Sequence, residues 1–383
     1  MKARYKSGAN RISFFDMNLR DTFRDKTVMV TGHTGFKGTW LTLWLHSLGA
    51  KIVGLALEPP TSPSHFDSAG VAGFIDDHRL DIRDSLGVVN FVKKHQPDFV
   101  FHLAAQPIVK KSYSDPLETW QVNVLGVVNV LEALRGVQRP CVGVIITSDK
   151  CYDNAEWVWG YRETDSLGGA DPYSASKGAA ELVVRSYVKS YFSYENCTVK
   201  IASTRAGNVI GGGDWAQDRI VPDCIRAWSQ GDEVELRNPH ATRPWQHVLE
   251  PLSGYLALAS AMSERPILHG EAFNFGPHSD ITQSVKDLVN EIAKHWDKVR
   301  WKDISEQEQG PYESGLLKLN CDKALHLLQW HAVMNFEETV KMTAEWYREY
   351  YNADRNASIQ DYTIMQIEQY MSKAAELELL WAR

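Results

Sequence analysis

A short β-branched run, Thr27 to Thr31, gives way to Gly32-His33-Thr34-Gly35-Phe36-Lys37-Gly38. A helical pattern comes next, with Trp40, Leu41, Trp44, Leu45 and Leu48 at three- and four-residue spacing and Gly49 as its stop. No other stretch restricts the fold as tightly, because strand, glycine turn and helix in that order make the first unit of a parallel sheet. The turn falls at the carboxyl end of the strand, where open α/β sheets bind ligands. The first glycine permits a tight turn, the second lets backbone approach a pyrophosphate, and the helix N-terminus favours the anion. A plain strand-to-helix turn is the simpler reading, and the pattern of the remaining chain weighs against it.

The same alternation recurs. Apolar, β-branched runs at Lys51 to Leu57, Phe99 to Leu103, Val142 to Thr147 and Val199 to Thr204 are separated by helical patterns. One of these covers about 116–134, and another begins at Asp171-Pro172, an N-cap followed by proline at the first helical position. The pattern predicts an α/β, doubly wound parallel sheet over 26–205, with a return segment near 240–265. Beyond Arg205 a glycine-rich stretch, Gly207 to Asp214, leads into shorter segments with prolines at 222, 239, 244 and 251, a smaller and less regular substrate-binding region within 206–383. Residues 1–25 read as a charged extension, with Met17 as a possible natural start. After Tyr350 the tail offers Met365, Ile367, Tyr370 and Met371 as a docking face.

A net charge of -7 and the lack of a lysine or arginine block argue against nucleic acid as a partner. The five cysteines are scattered and odd in number, which suits reduced thiols in a cytoplasm and implies no metal site. No apolar run approaches membrane-spanning length, so the expectation is a soluble, cytoplasmic protein.

Glu58 stands twenty positions after Gly38, at the end of the second strand, where a carboxylate can bond both hydroxyls of an adenosine ribose. Pro59 and Pro60 come after it rather than an arginine, which favours NAD over NADP; a solvated strand end is the alternative. Tyr173 and Lys177 lie one helical turn apart, so both face one way, and an ammonium there should lower the phenol's pKa and make it a base. Such a pair is common on surfaces. Its place after the dinucleotide loop, and after the strand end Thr147-Ser148-Asp149-Lys150, gives it weight.

Taken together, Gly32 to Gly38, Asp81-Ile82-Arg83-Asp84, His102-Leu103-Ala104-Ala105, Asn123-Val124, Thr147-Ser148, Tyr173 with Lys177, and Arg243-Pro244-Trp245-Gln246-His247-Val248 resemble the extended short-chain dehydrogenase/reductases that act on sugar nucleotides. The resemblance implies a Rossmann-type domain with a smaller C-terminal substrate domain. It implies NAD held by Gly32, His33, Gly35, Phe36, Lys37, Gly38, Glu58, Asp81, Ile82, Ala104, Ala105, Asn123, Thr147, Tyr173 and Lys177. Ser148, Asp149, Lys150, Tyr173 and Lys177 are then catalytic, and Gln106, Asn208, Arg219, Arg237 and Arg243 hold the sugar nucleotide. A homodimer or homotetramer, built on the helices bearing Asn123 and Tyr173, is also implied.

Epimerases of that family usually carry small or neutral residues after the serine, whereas its 4,6-dehydratases place an acid and a base there. Asp149-Lys150, with the flanking stretches 147–154, 157–163 and 207–215, resembles the branch that takes CDP-glucose. The chemistry needs Asp149 protonated and Lys150 neutral, which burial and neighbouring Lys177 would promote. A surface ion pair, a 4-epimerase or dehydratase of another sugar nucleotide, and a non-catalytic NAD-binding regulator remain as alternatives. His33 and Lys37 depart from the small or aliphatic residues usual in the loop. The expectation is that Lys37 points away from the ligand, and that the two bulky side chains disturb the close backbone approach and loosen the grip on NAD.

Overall fold

The structure, a computed structural model, describes residues 18–194, 197–278, 282–305 and 316–382. Seven strands form one parallel sheet: β1 (Thr27–Thr31), β2 (Lys51–Ala56), β3 (Asp76–Arg79), β4 (Phe99–His102), β5 (Cys141–Ile146), β6 (Val199–Arg205) and β7 (Ala272–Asn274), in the spatial order β7-β6-β5-β4-β1-β2-β3. Five strands are the apolar runs of the sequence. The other two are edges: β3 is polar and β7 has three residues.

Helices cover both faces. The first, α1 (Phe36–Ser47), buries Trp40 and Trp44 completely, and the Trp40 indole donates to Gly212 O at 2.8 Å. On the other face lie α2 (Ser85–His95), α3 (Gly126–Arg135) and α4 (Pro172–Tyr187). The helix expected at about 116–134 runs as a turn at Pro116–Trp120, a wider π-turn at Gln121–Leu125, and then α3. Asp171 caps α4, accepting Ser174 N at 2.9 Å.

Beyond β6 come α5 (Ile220–Gln230) and three two-stranded pairings, Val209–Ile210 with Gln246–His247, Thr242–Arg243 with Gln283–Ser284, and Val234–Leu236 with Trp301–Asp303. Then α6 (Leu249–Glu264) lies almost wholly buried, and the chain re-enters the sheet as β7, so the sheet unit is discontinuous in sequence. In the tail, α7 (Phe336–Tyr351) and α8 (Ile359–Glu376) are tied to α6 by the Glu250 carboxylate, which accepts Val333 N, Met334 N and the Tyr370 hydroxyl at 2.7–3.0 Å. Ile367 and Tyr370 are buried as the docking face required, while Met365 is exposed and Thr363, Gln366 and Ala374 take the buried positions instead. Residues 18–25 are not a loose extension: Leu19–Phe23 is helical and the Phe23 ring packs 4.8 Å from Phe99. Residues 1–17, Met17 among them, lie outside the described residues.

Candidate active site

The carboxyl ends of β1, β4 and β5 bring the sequence motifs to one rim of the sheet. Gly32 takes φ +73°, and a Cβ there would lie 2.7 Å from Ala104 N; at Gly38 it would lie 2.0 Å from Gly32 O. Only glycine lets this turn fold back on the helix so closely. Gly35 is the N-cap of α1, whose first turn holds no acid, so the exposed end of the helix dipole suits a pyrophosphate. The cradle, with Glu58 exposed at its far end, therefore fits a dinucleotide. Phe36 faces Gly211, and Ala104-Ala105 back the loop, with Ala104 N donating to Thr31 Oγ1.

At β5 the chain continues through Thr147 into extended Ser148 (φ -164°), then a tight turn, Asp149–Cys151. The Ser148 hydroxyl donates to Asp149 Oδ1 at 2.9 Å, and Lys150 N donates to Ser148 Oγ at 3.3 Å. Asp149 is buried because Gly207 has no side chain: a Cβ there would fall 1.8 Å from Asp149 Oδ2. Tyr173 and Lys177 descend from the start of α4, with Lys177 Nζ 5.8 Å from the Tyr173 ring centroid.

Electrostatics here differ from the expected lowering of the phenol by lysine. Burial pushes Tyr173 up to about 12, with Asp149 adding to the rise and Ser148 and Arg219 pulling the other way. Burial likewise draws Lys177 down to about 8. The cations opposing the rise thus include Arg219, the N-cap residue of α5, paired with Asp214 at 2.8 Å.

The loop side chains also correct the sequence reading. The His33 ring turns beneath the loop, fills the space left by Gly54, and places Nε2 2.7 Å from Asp77 Oδ1, so it does not crowd the phosphate side. Lys37 does not point away: the charges acting on it are Arg219, Asp149 and Lys177, and burial draws its ammonium down to about 8.

The remaining candidate residues have partners within the chain. The Gln106 carboxamide is engaged by Thr119 and Ile108 N, and Asn123 by Gln106 and Ser176 Oγ, so both brace the α3–α4 side. Thr147 donates to Glu181 at 2.5 Å, Ile82 packs against Gly126, and Asp81 is held below the usual carboxylate range by Arg83. Asn208 adopts φ +50° and its carbonyl accepts Gln246 N. Arg243 donates to Thr242 O, and Arg237 is exposed after Val234–Leu236 with its charge felt by Asp223. Away from the rim, on the α2 face of β3, Asp76, His78 and His95 bring one potential ligand atom each within 4.8 Å of one another, a grouping that cysteine spacing could not reveal.

Beneath the Asp149–Cys151 turn lies a buried network that the motifs did not reveal. Glu181, one turn after Lys177 on α4, accepts Thr147, Ser203 and Arg205; Arg205 reaches Tyr152, whose hydroxyl donates to Asn274 at 2.8 Å. Burial would raise the Glu181 carboxyl, but Arg205, Thr147 and Ser203 hold it low. The i, i+4 step from Lys177 to Glu181 was the one available sequence signal.

A Rossmann-type sheet, a glycine cradle and a Ser/Tyr/Lys rim define the class, and the chain belongs to the GDP-mannose 4,6 dehydratase family, whose sequence profile matches residues 29–343. It is similar to the CDP-glucose 4,6-dehydratase of Salmonella typhimurium, 44% identical over 333 residues, spanning 86% of this chain and 92% of that one. Among solved structures it resembles MoeE5 in complex with UDP-glucose and NAD (TM-score 0.69, 25% identity, 85% of this chain and 100% of that one). It also resembles the dTDP-glucose 4,6-dehydratase of Bacillus anthracis in complex with NAD (TM-score 0.68, 19% identity, 85% and 97%).

Proposed function

We infer that the protein is an NAD-dependent hydro-lyase that converts CDP-glucose to CDP-4-keto-6-deoxyglucose with loss of water. The observation that carries this is the 44% identity to a CDP-glucose 4,6-dehydratase along most of both chains, with Ser148, Asp149, Tyr173 and Lys177 all buried at one rim. The cradle from Gly32 to Gly38 and Glu58 would hold NAD, which supplies the acceptor for a hydride from C4 and gives it back at C6.

Tyr173 takes the proton of the sugar 4-hydroxyl while Ser148 bonds the same oxygen, and a 4-ketone results. Arg219 and Ser148 act in the direction that such a base needs, against burial. The ketone acidifies C5–H, Lys150 removes that proton, and Asp149 protonates the departing 6-hydroxyl, so water leaves. Lys150 then returns its proton to C5, and the proton left on Tyr173 balances the one Asp149 gave up. Arg219 and Arg243 are read as partners for the sugar nucleotide's phosphates.

We read the assembly as a homodimer or homotetramer, supported by Leu117, Trp120, Leu125 and Leu182, which stand exposed around the helices bearing Asn123 and Tyr173. The cytoplasm remains the proposed location; among the described residues no helix is long and apolar enough to cross a membrane.

The test is incubation with CDP-, UDP-, GDP- and dTDP-glucose in the presence of NAD, with products read by mass. The expected result is loss of water from CDP-glucose. An isomer of unchanged mass would instead mean epimerisation, and turnover confined to another nucleotide would overturn the CDP assignment.

A further inference from the structure

In sequence Glu58 is followed by two prolines and no arginine, yet the sheet supplies one. Register between β2 and β3 sets Arg79 opposite Ala56, two residues before Glu58, and the Arg79 Nε lies 3.0 Å from Glu58 Oε2. A second nitrogen of the same guanidinium pairs with Asp77, two residues earlier on β3 and so on the same face, and the group sits 5.3 Å above the Phe66 ring. Asp77 in turn holds His33 of the glycine turn at 2.7 Å. One guanidinium is thereby shared by two carboxylates at the end of β2, where the adenosine ribose of a dinucleotide belongs.

We propose that Arg79 forms a latent 2′-phosphate site at the adenosine end of the cleft, kept closed by its pairing with Glu58 and Asp77. This rests on reading the cleft as an NAD site. With Glu58 and Asp77 ionised against Arg79, the corner carries one net negative charge, unfavourable to an added phosphate. Taking away the Glu58 charge leaves a neutral Asp77–Arg79 pair, and Arg79, whose side chain is 30% exposed, regains a free edge of its fork. A guanidinium fork matches phosphate in geometry as well as charge. The hydroxyl partner of the ribose and the blocker of the phosphate are the same carboxylate, so one substitution acts on both dinucleotides in opposite directions.

The test is binding calorimetry of NAD and of NADP on the full chain and on Glu58→Gln, Arg79→Ala and the double variant, with melting temperatures as a check on folding. Wild type is expected to prefer NAD. Glu58→Gln should gain at least about tenfold in NADP affinity while losing NAD affinity, and the double variant should lose the NADP gain. The gain should shrink as salt is raised. A double variant that binds NADP as well as Glu58→Gln does would overturn the role of Arg79, and so would a Glu58→Gln variant with no gain. Wild type that binds neither dinucleotide would instead bring down the cofactor reading on which this one depends, a result distinct from intact NAD binding without an NADP gain.

Discussion

With methionine in place of Lys150, turnover to the 6-deoxy product is expected to fall by about 10²–10⁴-fold, the usual weight of a positioned acid–base group. Binding of the sugar nucleotide should survive, because Met preserves the length and most of the packing of the lysine stem. Oxidation at C4 should survive as well, since Ser148 and Tyr173 are untouched. The cleanest reading comes from reaction in deuterated water. The native protein should place solvent deuterium at C5, and the variant should leave C5–H in place. Release of 6-deoxy product at near the native rate would remove Lys150 from the mechanism and leave the proton at C5 to another group.

A comparable loss is expected from one added methyl group at Gly207. The new Cβ would stand 1.8 Å from Asp149 Oδ2 and 2.2 Å from its Cγ, too close for the carboxylate to remain beside Ser148. Gly207 has none of the positive φ values found elsewhere in the chain, so the alanine strains no backbone and the effect should fall on the acid. The expected result for Gly207→Ala is a kcat lowered about 100-fold with KM little changed, matched by Asp149→Asn, which keeps the shape and removes the proton. If Gly207→Ala turns over at the native rate while Asp149→Asn does not, the buried position of the carboxyl is not what makes it the acid.

The parts of this fold that were legible in the sequence are those whose physics is local. The run before Gly32 had to be a buried strand, and the Asp171-Pro172 start had to cap a helix, because apolar period and capping chemistry act within a few residues. What escaped was set by partners far along the chain. β3 reads Asp-Asp-His-Arg and shows no apolar pattern; it is a strand because β2 offers it an edge to pair with. Lys37 was expected to lean away by the habit of first-turn side chains, yet it faces the charges of Asp149, Lys177 and Arg219, contributed by the turn after β5, α4 and α5. The expected help from Lys177 to Tyr173 weighed charge alone, and burial, which depends on what packs around both groups, raises the phenol instead. Gln106 and Asn123 were found by motif, but the motif did not tell that their amides point inward to hold helices together.

An outermost strand such as β3 leaves a row of amide and carbonyl groups open to any extended chain that drifts past, and a bare apolar edge invites sheets to join into aggregates. In β3 that rim carries Asp76, Asp77, His78 and Arg79, side chains that are costly to strip of water against a second sheet. The charged residues that pair around Glu58 and His33 therefore also keep one molecule's sheet from growing into the next.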